Sequence, residues 1–316
     1  MTTAFNANST TDDVLKGVDL RGRRVLVTGV SAGLGVETAR ALAAKGATVV
    51  GAARDLDKAY SATEIVRAQA ANDGSLEFAT VDLSSLQSVR ICADSLLATG
   101  KSFDVVICNA GVMATPKSTT EDGFETQFGT NHLGHFVLVN RILPLLKPGS
   151  RVVNLSSAGH RLSDVDLDDP NFESTPYDTF LAYGRSKTAN ILFAVEFDRR
   201  HKANGIRATA VHPGVIQTEL DRHMTPELTE MMSKNVDSAK LPVFRWKSLA
   251  QGAATSVWSG FAAAAEEIGG KYCEDCHVAE VAIDPETREG PLPYALNPDR
   301  ATALWAKSEE MVGERF

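Results

Sequence analysis

Tyr183 and Lys187 stand four residues apart in the segment LAYGRSKTANILFAVEFDRR. Apolar residues at Leu181, Ala189, Leu192, Phe193, Val195 and Phe197 recur at near-helical spacing and predict a long, half-buried helix. Residues four apart on a helix share a face, one turn above the other, so a phenol and an ammonium would lie side by side. The positive charge favours the phenolate and lowers the tyrosine pKa. A phenol tuned toward neutral pH can give or take a proton. The same spacing also occurs in plain surface pairs worth about 0.3 kcal/mol, so the rest of the chain has to support the catalytic reading.

A second candidate feature lies near the start. RRVLVTG reads as a buried strand running into glycine, and VETARALAAKGA as the helix after it. Gly29, Gly33 and Gly35 fall at that strand-to-helix turn. There the backbone can approach a pyrophosphate, and a helix N-terminus offers free N–H groups and a positive dipole end. The spacing departs from GxGxxG, so the signal rests on its position at the first turn of an alternating chain. The next strand, ATVVGAAR, ends in Arg54 with no acid before Asp55. An acid there binds the ribose hydroxyls of NAD, whereas an arginine accommodates the 2′-phosphate of NADP. NADP(H) is therefore favoured, with NAD(H) the alternative.

The elements that must position these residues alternate. LEFATVDL, FDVVICNAG, SRVVNLSS and IRATAVHPG read as strands, and Lys58–Ala71, Leu86–Leu97, Glu121–Leu146 and Thr179–His201 as helices. This pattern predicts an α/β fold, a single doubly wound Rossmann-type parallel sheet with helices on both faces. Residues 1–19 read as a loose extension, with Ser9, Thr10 or Thr11 capping a short helix, and residues 20–316 as one domain. Within it, a helical flap spans about residues 219–246, Gln251–Glu267 is a helix, Gly270–Cys273 a last strand, and Ala301–Val312 a terminal helix.

The chain has 316 residues and a net charge of -8, which argues against a nucleic-acid partner. No run approaches the roughly twenty apolar residues of a membrane span, and the polar start is not a secretory signal. Four cysteines do not suggest a disulfide framework. A cytoplasmic protein with no membrane anchor is the expectation.

Taken together, the motifs resemble the short-chain dehydrogenase/reductase family from about Gly22 to Thr218. TGVSAGLG is similar to its cofactor loop, which would bring Gly29, Ser31, Gly33, Leu34 and Gly35 to the cofactor. Asp82-Leu83 resembles the pair that contacts adenine, and Asn109-Ala110-Gly111 the signature after the fourth strand. Asn131, Ser157, Tyr183 and Lys187 fall where the family has its catalytic tetrad. Pro213-Gly214 resembles the turn that cups the nicotinamide, with Ile216 and Thr218 flanking the carboxamide.

Within the family the layout is most similar to the retinol dehydrogenase-like and protochlorophyllide reductase-like branch. Asn131-His132-Leu133-Gly134-His135-Phe136, Gly270-Lys271-Tyr272 and the long insert between Ser157 and Tyr183 carry that likeness. The lack of an N-terminal anchor weakens retinoid as the substrate. The resemblance implies that Tyr183 donates a proton to a carbonyl oxygen as hydride arrives. Lys187 lowers the tyrosine pKa and holds the nicotinamide ribose, Ser157 rather than Ser156 steadies the oxygen, and Asn131 holds a water that relays protons to Lys187. It also implies a homodimer or homotetramer through the Asn131 and Tyr183 helices.

Cys273-Glu274-Asp275-Cys276-His277 has the spacing of a haem attachment site, but it follows a last strand with no second ligand cluster, and no metal is expected. His132 and His135, on the Asn131 helix, read as groups that support the site or pack rather than as acids, while His160 and Arg161, shortly after Ser157, could face the substrate. Phe172, Tyr177, Phe180, the methionines Met224, Met231 and Met232, and Phe244 point to a fairly large apolar small-molecule substrate. The leading reading is an alcohol/carbonyl oxidoreductase. Its alternatives are a C=C double-bond reductase and a catalytically silent nucleotide-sensing regulator.

Overall fold

Runs such as VLVT, TVVGAA, DVVIC and RVVNL are apolar on successive residues, as strands must be when both sheet faces are covered. In the computed structural model, which describes residues 5–226, 246–284 and 289–316, they form one sheet. Its strands are β1 (Arg24–Thr28), β2 (Thr48–Ala53), β3 (Ser75–Thr80), β4 (Phe103–Cys108), β5 (Leu146–Leu155), β6 (Arg207–His212), β7 (Tyr272–Glu274) and β8 (His277–Val278). The spatial order is β3-β2-β1-β4-β5-β6-β7-β8, parallel except for β8. Val25 pairs with Val49 on one side and Val105 on the other, so the order reverses direction at β1 and β4. Open α/β sheets bind ligands beyond the carboxyl ends of their strands at such a reversal.

One core layer packs the Gly33–Ala43 and Leu249–Val257 helices on the sheet through Leu42, Ala254 and Val257. The other carries Leu86–Ala98, Gly134–Arg141, Thr179–His201 and Pro298–Val312 through an aromatic cluster of Phe136, Phe193, Phe197 and Trp305. The Pro298–Val312 helix lies against the outer face of the Thr179–His201 helix. Trp305 stacks on Phe193 at 5.9 Å and meets Phe136 edge-on at 5.0 Å.

Four local readings differ from the structure, and the first is Lys58–Ala71, which forms two helices, Leu56–Ala62 and Glu64–Gln69, meeting at Thr63. Residues 11–15 are packed rather than loose. Thr10 and Asp13 form a capping box, Val14 and Leu15 are buried, and Arg40 bridges Glu37 and Asp12. The Glu121–Leu146 segment begins its helix only at Thr126, because the Glu125 carboxylate accepts the Gln127 and Phe128 N–H groups and so caps it. The same segment widens to a π-turn over Gly129–Leu133, ends as α-helix at Arg141 and delivers Leu146 to β5. Gln251–Glu267 is broken, since the helix from Leu249 ends in a π-turn at Trp258–Ala262. Most of the sequence-read flap, including Met231, Met232 and Phe244, lies outside the described residues.

Candidate active site

The Thr179–His201 helix forms as its spacing predicts, capped by Asp178, whose carboxylate accepts the Phe180 and Leu181 N–H groups. Tyr183 and Lys187 lie on its inner face, each 5% exposed. The Lys187 Nζ stands 5.6 Å from the centroid of the Tyr183 ring and donates to the Leu155 carbonyl at 3.2 Å. Burial lowers the Lys187 pKa from 10.5 to about 8. An ammonium has three N–H donors, so two remain for other groups.

β5 ends against this helix. The Ser156 hydroxyl donates to the Lys187 carbonyl at 2.8 Å, fastening strand to helix. Ser157 is left half-exposed, its hydroxyl accepting the Gly159 N–H at 3.0 Å. A Cβ at Gly159 would lie 2.6 Å from Tyr183 Cε1 and 3.4 Å from Ser157 Oγ, so this glycine lets the tyrosine ring and the serine hydroxyl converge. His160 does not face a substrate space. It is buried, its Nδ1 bonds the Ser157 carbonyl at 2.7 Å, and its Nε2 accepts the Leu292 N–H at 3.2 Å. That ring backs Ser157 from behind.

Asn131 sits in the π-turn, fully buried. Its Oδ1 accepts the Val112 N–H at 2.8 Å, and its Nδ2 donates to the Val112 carbonyl and to Ser186 Oγ at 2.9 and 3.0 Å. A Cβ on Gly111 would lie 3.0 Å from Asn131 Oδ1 and 3.6 Å from Lys187 Nζ, so the fourth strand's glycine leaves space for both groups. The π-turn, a local form frequent at functional sites, thus places Asn131 between the end of β4 and the Lys187 helix.

The turn after β1 opens onto a groove of about 440 Å³ lined by Ser31, Ala32, Gly33, Gln217, Thr218 and Glu219 together with Val36, Glu37, Ala62, Ile65 and Leu249. The Gly33–Ala43 helix begins there with no side-chain cap, leaving its first N–H groups for a ligand. Gly33 has φ +59 and faces the Thr218 methyl. Gly35 faces the opposite way, where a Cβ would strike Gly29 and the Asn109 amide, so it serves helix-to-strand packing. Leu34 and Ile216 likewise turn their side chains to Gly252. The Asn109 amide donates to the Thr28 carbonyl at 2.8 Å, stitching β4 to β1. Ala110 follows at the same strand end, its N–H donating to Thr28 Oγ1 at 3.0 Å.

Arg54 is exposed at the end of β2, 3.8 Å from Asp82, whose Oδ1 accepts the Ser84 N–H. Leu83 is buried against Gly134. Pro213-Gly214 follows β6, with Gly214 at φ +91 beneath the stem of Lys247. Lys247 pairs with Asp275, and its N–H donates to the Val215 carbonyl at 2.9 Å.

Lys58 and Lys247 are site neighbours that sequence reasoning missed. Lys58 pairs with Glu219 at 2.5 Å, joining the helix after β2 to the segment after Thr218. A cation four residues past Arg54 was the available signal for Lys58; nothing local announced Lys247.

The expected substrate walls are partly interior. Phe172 is buried under the Arg185 guanidinium, 3.9 Å from its centroid, and the Tyr177 hydroxyl donates to the Thr115 carbonyl at 3.0 Å. Phe180 is also buried. Leu162, Leu181 and Trp246 are the exposed apolar side chains on the neighbouring segments. Cys273 and Cys276 are both buried, which raises their thiols to about 11, and they lie beside Thr209 and Thr255 respectively. Among the described residues no helix is long and apolar enough to cross a membrane.

Comparisons with known proteins show the family and the fold. Residues 23–229 match the family described as short chain dehydrogenase. The chain is 38% identical over 297 residues to human retinol dehydrogenase 13, covering 92% of this chain and 85% of that protein. A crystal structure of an uncharacterised protein from Mycobacterium paratuberculosis superposes with a TM-score of 0.73 at 35% identity, covering 98% of this chain and 99% of that one. The RhlG/NADP active-site complex of Pseudomonas aeruginosa superposes with a TM-score of 0.62 at 26% identity, covering 81% and 95%.

Proposed function

Since the chain belongs to the short-chain dehydrogenase family, in its retinol dehydrogenase-like branch, we propose that it is an NADP(H)-preferring oxidoreductase interconverting an alcohol and a carbonyl on a fairly apolar substrate. The observation that carries this reading is the buried Lys187 ammonium beside the Tyr183 ring, with Ser157 brought to the same ring edge at Gly159. The groove fits a dinucleotide through its uncapped helix N-terminus and the small residues Ser31, Ala32 and Gly33. NADP(H) bound there supplies or accepts the hydride.

The chain's own residues manage the proton and the oxygen. Tyr183 gives its proton to the carbonyl oxygen in reduction and takes it back in oxidation. Lys187 favours the phenolate by its charge, and the N–H donors not spent on Leu155 reach the nicotinamide ribose. The Ser157 hydroxyl donates to the same oxygen as charge develops on it. The Asn131 amide is spent on Val112 and Ser186, so its role is to fix the strand end and the Lys187 helix rather than to hold a water with its side chain. Arg54 and Lys58, four residues apart, hold the 2′-phosphate; both are exposed cations, and Lys58 pairs with Glu219, which lines the groove. Gly29, Asp82, Leu83, Pro213, Gly214, Ile216 and Thr218 complete the cofactor site by main chain or packing.

Fluorescence titration with NADPH and NADH, followed by a carbonyl screen that includes retinaldehyde, tests the proposal. Tighter binding of NADPH and production of the alcohol support it. A saturated product with the carbonyl intact would replace it with C=C reduction, and binding of neither nucleotide would overturn it.

A further inference from the structure

His135 is fully buried, four residues past Asn131, and both its ring nitrogens are engaged. Nδ1 lies 3.0 Å from the Asn131 main-chain carbonyl, and Nε2 lies 2.9 Å from Thr28 Oγ1. A carbonyl can only accept, so Nδ1 carries the proton. Thr28 Oγ1 accepts the N–H groups of both Asn109 and Ala110 at 3.0 Å, which fills its two lone pairs and leaves its own proton to donate to Nε2. The two ends demand the same tautomer, a neutral ring protonated on Nδ1. Burial lowers its pKa to about 4, and the Lys187 ammonium on the facing helix acts in the same direction. His132, the other ionisable neighbour, is likewise held neutral by burial.

We propose that His135 is a positioning residue that couples the junction of the β1 and β4 ends at Thr28 to the Asn131 carbonyl through its fixed tautomer. One nitrogen orients the carbonyl in the widened π-turn. The other anchors Thr28, which gathers the ends of β1 and β4 where the cofactor loop and Asn109-Ala110-Gly111 begin. The inference rests on the oxidoreductase reading for its kinetic consequences, though not for the tautomer itself.

The two links can be cut separately. In His135→Asn the side-chain amide stands at the Nδ1 position and still donates to the Asn131 carbonyl, but it no longer reaches Thr28. His135→Gln places its amide near Nε2, keeping Thr28 and releasing the Asn131 carbonyl. H135N is expected to raise the NADPH Kd roughly tenfold and to lower kcat less than threefold. H135Q should lower kcat roughly tenfold and change Kd less than threefold, a factor of ten being the ordinary worth of one buried hydrogen bond. In parallel, NMR of ¹⁵N-histidine-labelled protein should show one ring, lost in both variants, protonated on Nδ1 and unchanging from roughly pH 5 to 8. Equal losses of Kd and kcat in both variants, tracking a lowered Tm, would reduce His135 to packing and overturn the proposal. So would an Nε2-protonated or titrating ring. If the wild type binds NADPH but turns over no carbonyl, the oxidoreductase reading fails while the Kd split and the tautomer still decide this one. If it binds neither nucleotide, the tautomer alone decides.

Discussion

Gly159→Ala is the sharpest single perturbation of the proposed chemistry. Its Cβ would lie 2.6 and 2.8 Å from Tyr183 Cε1 and Cδ1, against an ordinary carbon–carbon separation of about 3.5–4.0 Å. Roughly 1 Å of displacement must therefore be absorbed. The backbone at 159 has no positive φ, so alanine adds no conformational strain and the contact is the whole effect. The tyrosine ring is 5% exposed and cannot swing into solvent, so either it or the Ala158–Leu162 turn must shift. Overpacking of this kind costs about 1–3 kcal/mol of stability, whereas a misplacement of about 1 Å at the reacting groups costs about 100-fold in rate. G159A should fold, bind NADPH within about twofold of wild type, and lose about 100-fold in kcat. Fluorescence titration, steady-state kinetics at saturating cofactor and a thermal melt read the three quantities. Retention of full kcat with an unchanged Tm would show that the Tyr183 ring is not fixed where the reaction needs it, and the assignment of Tyr183 as the acid would fall.

The alkaline limb of kcat/KM for carbonyl reduction should lie near pH 8, where Lys187 loses its charge, and Lys187→Met should abolish both the limb and about 100-fold or more of the rate. Stability should move the other way. With the folded pKa at about 8 and the reference at 10.5, the native state binds fewer protons than the unfolded chain in that window, so Lys187 makes stability rise with pH there. Comparing denaturant midpoints of wild type and K187M across the window checks the sign. Arg54→Ala and Lys58→Ala should each weaken NADPH about 10-fold and leave NADH nearly unchanged, as loss of a charge-assisted bond to a 2′-phosphate would; parallel losses for both nucleotides would refute the assignment. Trp305→Ala should cost about 3–5 kcal/mol by chemical denaturation, because the ring is 2% exposed amid Phe136, Phe193 and Phe197. A loss below about 1 kcal/mol would show that the cluster collapses to fill the space.

What the sequence made legible was local. The Tyr183 helix carries a sustained apolar period, and its residue range in the structure is the range read from the pattern. The strands were legible because burial on both faces leaves unbroken apolar runs. The Glu121–Leu146 segment misled because FVLVNRILPLL stays apolar through the end of one helix, a tight turn and the start of β5. Its true boundaries are set by the Glu125 carboxylate and by Leu146 pairing with Phe103, which is a nonlocal event. Phe172 and Tyr177 lie in an irregular stretch without periodicity, so no pattern could tell an inward ring from a pocket wall. His135 could not be told apart from a packing group because Thr28, which defines its role, lies more than a hundred residues away.

The aromatic seam between the Thr179–His201 and Pro298–Val312 helices bears on how copies of this chain could meet. The resemblance led to the expectation of a homo-oligomer through the Asn131 and Tyr183 helices. Part of that region is packed within the chain itself: Trp305 and Phe316 sit on Phe136, and Ser308 bonds His132 at 2.8 Å. The tail thus covers, within one chain, part of the helices that carry Asn131, Tyr183 and Lys187. A chain shortened before Asn297 would lose that cover and present Phe136 and Phe193 to whatever it met.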